Sequence, residues 1–412
     1  MAQHAHVLVI GGGIIGVSVA YYAARAGLGV TLLERHTLAS GSSFGNTGLL
    51  TLCDSHPLAV PGSALKGLRW LLQGRGPLYI HPRMDARFWL WLLRFARSGS
   101  DWATFRREWA HNLALSRLSL ELYRDLVEQE GLPVAWHQAG VYHVAYTPEV
   151  WEETRRLAHE AQAVGLQAYI LPPAEVLARL PYVRAPVLGG VFCPNDAHAD
   201  PAALVHALAE RARSRGARIL EGVEVLRLVR HGERVREVWT THGVYTATWV
   251  VLAAGVWTRE LAAQVGVSLA LEPAKGYSLT LPRPEQAPPT ALLLDEPKLA
   301  VTVLEQRLRL AGLLELSGMD ARLRWARVKH MLAAAAQYLR VDTQEILGVW
   351  RGWRPCTAHG RPYIGRAPGL RNLFLATGHC TLGMTQGPAT GRLIVDLILE
   401  QPTAIDVSLY AP

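Results

Sequence analysis

The sequence predicts an α/β (α+β) chain built from two interleaved domains, and three observations predict it. First, an apolar run from Val7 to Ile10 enters the turn Gly11-Gly12-Gly13-Ile14-Ile15-Gly16. An Ala-rich stretch to Arg25, a stop at Gly27 and Gly29, and a second apolar run from Val30 to Leu33 follow. Strand, glycine turn, helix and strand in that order are the parts of a parallel βαβ unit. Second, the pattern returns late in the chain. Pro201 opens a helix to about Arg215, a strand covers Arg218 to Leu220, and a meander over 223–248 feeds the buried run Trp249 to Gly255. Third, the material between reads differently. It has helices over Phe88–Phe95 and Trp109–Glu130, an alternating strand over Gly140–Tyr146 and a helix over Trp151–Val164. Strands resume from Ala274 to Glu315, with a hairpin turn at Glu305-Gln306, and a helix follows over Leu323–Leu339.

At 412 residues the chain has room for two to three domains of roughly 150 residues. Half of it is apolar, 18% is charged and 8% is aromatic, which excludes a disordered or fibrous class. Cys53, Cys193, Cys356 and Cys380 form no CxxC pair, so neither a disulfide framework nor a metal site is expected and a reducing compartment is the default. The first residues run straight into a strand and leave no space for a secretory leader, so a cytoplasmic protein is expected. Nothing approaches the roughly 20 apolar residues of a membrane span. The net charge of +8 is carried mostly by scattered arginines, with lysines only at positions 66, 275, 298 and 329. Dispersed charge of this kind speaks against nucleic acid and for small anions or an anionic surface.

Glu34 ends the second strand, 34 − 11 = 23 positions after the first glycine. Glycines there permit a tight turn and close approach of a pyrophosphate to a helix N-terminus, and an acid at that distance accepts from a ribose diol. The following loop, Ser40 to Gly48, is rich in hydroxyls and glycine and can wrap phosphates through main-chain N–H groups. WVVLAAG at 249–255 is echoed by NLFLATG at 372–378, two apolar runs that each end in a small residue and a glycine. Small residues at the carboxyl ends of strands let a flat ring approach the backbone.

Together with KGYSLTL at 275–281, GWRPCTAHGRPYIG at 352–365 and ATGHCTLGMTQGPATGRL at 376–393, these motifs resemble the D-amino-acid oxidase superfamily of FAD enzymes. Within it the sequence is most similar to bacterial D-amino-acid dehydrogenases and hydroxyproline dehydrogenases. The resemblance implies a Rossmann-like FAD-binding domain from 1–80, 196–265 and 350–412, interleaved with a mixed-sheet substrate-binding domain from 81–195 and 266–349. It implies that Gly11, Gly13, Ile15 and Gly16 meet the pyrophosphate and that Glu34, with Arg35 beside it, meets the ribose. Ser42, Ser43, Asn46, Thr47 and Gly48 would line phosphates and ring, Val225 the adenine, and Gly255 and Trp257 the cofactor's side. Gly378, His379, Gly383, Met384 and Thr385 would lie along the isoalloxazine. There a helix N-terminus, with Pro388 in its first turn, would stabilise the negative charge of the reduced ring.

Arg354 matches the arginine that grips the substrate carboxylate, a role suited to a planar fork of donors. Tyr277 is a second contact or a core tyrosine. The chain departs from the family pattern at Thr357-Ala358-His359-Gly360 and at Gly378-His379-Cys380. Neither Cys356 nor Cys380 matches the position of a flavin thioether, so non-covalent FAD is expected. No acid/base residue is required for hydride transfer from Cα to flavin N5, and His359 and His379 read as structural. The expected reaction oxidises a D-amino acid, D-proline or D-hydroxyproline among the options, to its imino acid. The acceptor would be a quinone, the respiratory chain or O2. The alternatives are a glycine or sarcosine-type oxidase and a flavin subunit of a larger complex. Arg-flanked helix 87–95 reads as a helix buried by its own domain, with peripheral membrane contact as the other option.

Overall fold

The computed structural model describes residues 3–62, 76 and 78–412. Part of the first expected segment, residues 1, 2, 63–75 and 77, lies outside them. Among the described residues, eight strands form one sheet whose main path runs Arg218–Leu220, Val30–Leu33, Gln3–Ile10, Gly243–Leu252, Arg234–Thr240 and Val225–His231. The centre is parallel: Val7 to Ile10 pair with Val30 to Leu33 on one side and with Trp249 to Leu252 on the other. Val30–Leu33 is buried at every position, as expected of a strand covered on both faces. The two echoed runs are parallel neighbours, Val250 to Leu252 against Leu373 to Leu375, so their small-residue ends emerge side by side. Helix Ile14–Arg25 is buried over most of its length, between this sheet and the long C-terminal helix Gly383–Ile398.

A second sheet of nine strands runs from Gly348–Thr357 through Leu271–Pro282, Arg307–Leu316 and Leu299–Val303 to Tyr169–Leu171. Its core joins Leu279, Leu281, Leu308 and Leu310 to Val328, Met331 and Ala335 of helix Trp325–Tyr338. Strand Gly348–Thr357, most of which falls in the 350–412 segment, forms its ladder with Leu271–Pro282. Helix Ala86–Ser98, capped by Asp85, buries Phe88 and Trp91 while Trp89, Leu90 and Leu93 stay exposed, so it is two-faced rather than enclosed.

The four cysteines correct the spacing argument. Cys53 bonds to Cys193, and Cys356 bonds to Cys380, across 140 and 24 residues respectively. Tertiary pairing makes both contacts, and local spacing rules see neither. Cys53 and Cys193 also approach Asp196 closely enough to suggest a cation site. The sulfurs are spent on each other, however, and Asp196 accepts the Leu52 N–H at 2.7 Å and the Thr51 hydroxyl at 2.5 Å.

Burial pushes the Asp196 carboxyl up to about 7 against these two hydrogen bonds. The folded chain therefore holds a proton that the unfolded chain, near 3.8, has released. This contribution to stability is complete at acid pH and is lost as pH rises toward 7. Asp196→Asn should accordingly raise Tm relative to the parent more at pH 8 than at pH 5 in thermal melts. A pH-independent difference would remove the raised carboxyl.

Candidate active site

A cavity of about 510 Å3 opens at the carboxyl edge of the parallel strands, between the two sheets. That volume lies within the range of small-molecule and cofactor sites. Its floor is the glycine turn. Gly11 has φ +115°, and a Cβ there would sit 2.5 Å from the Ala253 carbonyl oxygen; a Cβ on Gly16 would sit 1.9 Å from that of Gly11. Only glycine fits either place. Gly13 caps helix Ile14–Arg25 without a side chain, and the Ile14 N–H is donated to Ser43 Oγ at 3.1 Å. The helix start, with Ser43, is thus turned to the cavity as an anion site. Glu34 is fixed by the N–H groups of Gly12 at 2.7 Å and His36 at 3.0 Å, each to a different oxygen. Each oxygen keeps a lone pair for a diol. Space, cradle and donor set fit a dinucleotide such as FAD.

The walls bring most of the expected residues together. Gly11, Gly13, Ile15, Glu34 and Arg35 line the cavity, as do Ser42, Ser43, Asn46, Val225 and Gly255. Trp257, His379, Gly383 and Met384 complete the expected lining. Gly16, Thr47, Gly48, Gly378 and Thr385 lie behind it, and Thr385 Oγ1 instead accepts the Thr51 N–H at 3.2 Å. Sequence reasoning missed one wall, Trp350, Arg351 and Trp353 of strand Gly348–Thr357. Arg35 stacks on Trp257 at 3.7 Å, Trp257 meets Trp353 edge-on at 5.8 Å, and Arg351 covers Trp353 at 4.7 Å. The alternating aromatic and arginine residues of VWRGWR were the available signal.

Helix Gly383–Ile398 begins at the cavity, and Pro388 lies in its second turn, not the first as expected. A proline there removes the N–H that would bond the carbonyl four residues back, at Met384. Tyr123 supplies the missing donor, its hydroxyl reaching Met384 O at 2.6 Å. His379 shares a hydrogen bond at 2.8 Å with Thr390, and burial pulls its pKa down to about 3, so it is neutral at physiological pH. Burial, with Arg361 nearby, likewise lowers His359 to about 4.

Arg354 does not line this cavity. Its guanidinium lies over Gly276, where a Cβ would sit 2.4 Å from Nη1, and Nη1 donates to Leu313 O at 2.9 Å. No carboxylate pairs with it among the described residues. Desolvation draws its pKa down to about 10, leaving it charged at neutral pH. Ala274, the strand partner of Arg354, helps to line a second, small hollow of about 20 Å3 with Trp91, Phe95, His56, Thr381 and the Cys356–Cys380 pair. Cys380 and His379 belong to both linings. Tyr277 is elsewhere: its hydroxyl donates to Glu315 at 2.9 Å, and Glu315 also pairs with Lys275 and Arg324.

The model of the FAD dependent oxidoreductase (DAO) family matches residues 6–397. The chain belongs to the DAO family of FAD-dependent oxidoreductases. It is 36% identical over 406 residues to the D-amino acid dehydrogenase of Methylobacterium radiotolerans, with 95% of each chain covered. It is 35% identical over 419 residues to D-amino acid dehydrogenase 2 of Pseudomonas aeruginosa, covering 100% of this chain and 99% of the relative. Among solved structures it resembles glycine oxidase from Geobacillus kaustophilus, with a TM-score of 0.79 at 24% identity over 100% of this chain and 98% of the other. It also resembles L-proline dehydrogenase from P. horikoshii, with a TM-score of 0.74 at 21% identity and the same coverage. The expected α/β fold, the family resemblance and FAD as cofactor are all borne out. For this DAO-family chain, Tyr123→Phe should leave the Met384 carbonyl without its buried donor. The expected loss is about 1–3 kcal/mol of stability in denaturant unfolding; an unchanged midpoint would show that the hydroxyl does not stand in for the proline's missing N–H.

Proposed function

We propose that this DAO-family enzyme oxidises D-amino acids, with D-proline and D-hydroxyproline among the options, to the imino acid. One observation carries the reading: Arg354 is a partly buried, charged guanidinium that bonds to a backbone carbonyl and has no carboxylate partner among the described residues. A buried charge without a partner is costly, and a substrate carboxylate supplies the partner with two parallel hydrogen bonds. The names of the relatives agree on D-amino acids.

In this reading residues 1–80, 196–265 and 350–412 hold FAD, and 81–195 with 266–349 build the substrate side. Gly11, Gly13 and Ser43 receive the pyrophosphate, Glu34 the ribose, and the start of helix Gly383–Ile398 the ring. When bound, FAD accepts the Cα hydride at N5. Arg354 fixes the carboxylate and so orients the Cα–H bond. His379, neutral and held by Thr390, keeps the nearby wall uncharged and exchanges no proton. The amine loses its proton to water before it binds. With all four cysteines in disulfides, none is left for a thioether, so FAD is held non-covalently.

Anaerobic titration of the holoenzyme tests this reading. D-proline and D-alanine should bleach the visible flavin band, and Arg354→Leu should raise the half-bleaching concentration by about 30-fold or more, the lower bound of 2–5 kcal/mol for a lost buried charge pair. Bleaching by glycine or sarcosine alone would replace D-amino acids with the alternative substrates.

A second feature bears on the electron acceptor. Met84, Trp89, Leu90 and Leu93 are exposed on and beside helix Ala86–Ser98, among exposed Arg87, Arg94 and Arg97. An apolar face fringed by arginine suits an anionic membrane surface, where a quinone is met. The protein should co-sediment with phosphatidylglycerol vesicles, and Trp89→Glu with Leu93→Glu should abolish this; equal recovery of the double variant would sever the face from the membrane.

A further inference from the structure

We propose that the Cys356–Cys380 disulfide is a second two-electron centre, exchanging electrons with the flavin. This rests on the reading that the 510 Å3 cavity holds FAD with Gly378–Thr385 along its ring. Cys380 is the cysteine of the pair that lines the cavity. It is only partly buried, and it lines both the large cavity and the small hollow. Cys356 is 2% exposed and lines the hollow alone. A partly exposed cysteine bonded to a sheltered one is the arrangement of a reducible pair.

The bond is not needed to join its two segments. Cys380 donates its N–H to Pro355 O at 2.9 Å, and Cys356 forms a backbone bridge with His379. These contacts already seat the turn on the strand. Cys380 also has φ +51°, a conformation open to glycine and unfavourable for a residue with a Cβ. The position thus carries a sulfur where backbone geometry alone would favour its absence. The other disulfide, Cys53–Cys193, lines neither cavity and serves as an internal control.

The step balances. The disulfide takes two electrons and two protons, its S–S bond breaks and two S–H bonds form, while the two-electron-reduced cofactor returns to its oxidised form. The reducing equivalents are those that amino-acid oxidation leaves on the enzyme. Reoxidation of the dithiol returns them by the same route.

The test is an anaerobic dithionite titration of the holoenzyme, followed by flavin absorbance. Samples are quenched in acid, alkylated with N-ethylmaleimide and mapped by peptide mass. Full bleaching should consume four electrons per flavin and place label on Cys356 and Cys380 but not on Cys53 or Cys193. The same protein stripped of flavin should take no label. The Cys356→Ser/Cys380→Ser variant should bleach with two electrons. If it fails to fold, the labelling pattern of the parent still decides. Bleaching at two electrons with positions 356 and 380 unlabelled overturns the proposal, as does equal labelling of both disulfides or labelling without flavin. Dithionite needs no substrate site, so a D-amino acid that fails to bleach an enzyme showing this labelling would count against the substrate reading alone.

Discussion

Everything at the cofactor edge depends on one backbone contact, the approach of Gly11 to the Ala253 carbonyl and of Gly16 to the carbonyl of Gly11. It holds helix Ile14–Arg25 against the strands at a distance that no side chain permits. The start of the helix therefore emerges level with the ends of Gln3–Ile10 and Gly243–Leu252, and Glu34 reaches back to the Gly12 N–H from the neighbouring strand. If the helix were displaced, Val17, Val19 and Tyr21, all fully buried, would lose their packing along with the site. Stability and cofactor geometry share one constraint here.

The treatment of buried charge separates structural groups from the proposed functional one. Lys275 is fully buried, but it pairs with Glu315, which also pairs with Arg324. Glu272 is bracketed by Arg83 and Arg259. His143 lies between Asp54 and Asp295; burial works against its charge, and the two carboxylates outweigh burial and hold its pKa well above the usual range. Such compensated groups specify packing. Arg354 and Arg309 are the contrast: each guanidinium bonds to neutral carbonyls and neither has an ion-pair partner among the described residues. Of the two, only Arg354 lies in the Gly352–Pro355 motif, and the proposed carboxylate site rests on that motif together with the missing partner.

Legibility followed sequence distance. The turn, Glu34 and the loop to Asn46 are close along the chain, and their periodicity and glycine spacing anticipated the floor of the cavity. The wall of Trp350 and Trp353 was not legible, because it depends on the register of Gly348–Thr357 against Leu271–Pro282. Tyr277 illustrates the same limit. It follows Lys275 in an attractive motif, but its hydroxyl is committed to Glu315, 38 residues away. Both disulfides and the Tyr123 hydroxyl at Met384 are likewise contacts between distant segments, invisible to spacing rules.

These commitments also constrain the chemistry. Among the groups considered as catalysts, His379 is held neutral beside Thr390, His359 accepts the Arg361 N–H at 3.2 Å, and Tyr277 is bonded to a carboxylate while burial raises its pKa. None is poised to take a proton from a substrate amine near neutral pH. In the proposed reaction the titration that matters then belongs to the amino acid, whose uncharged amine is selected from solution, and the protein acts by orientation and desolvation. An enzyme of that kind gains rate by fixing Cα, and in the proposed reaction that task falls to Arg354, whose guanidinium packs over Gly276.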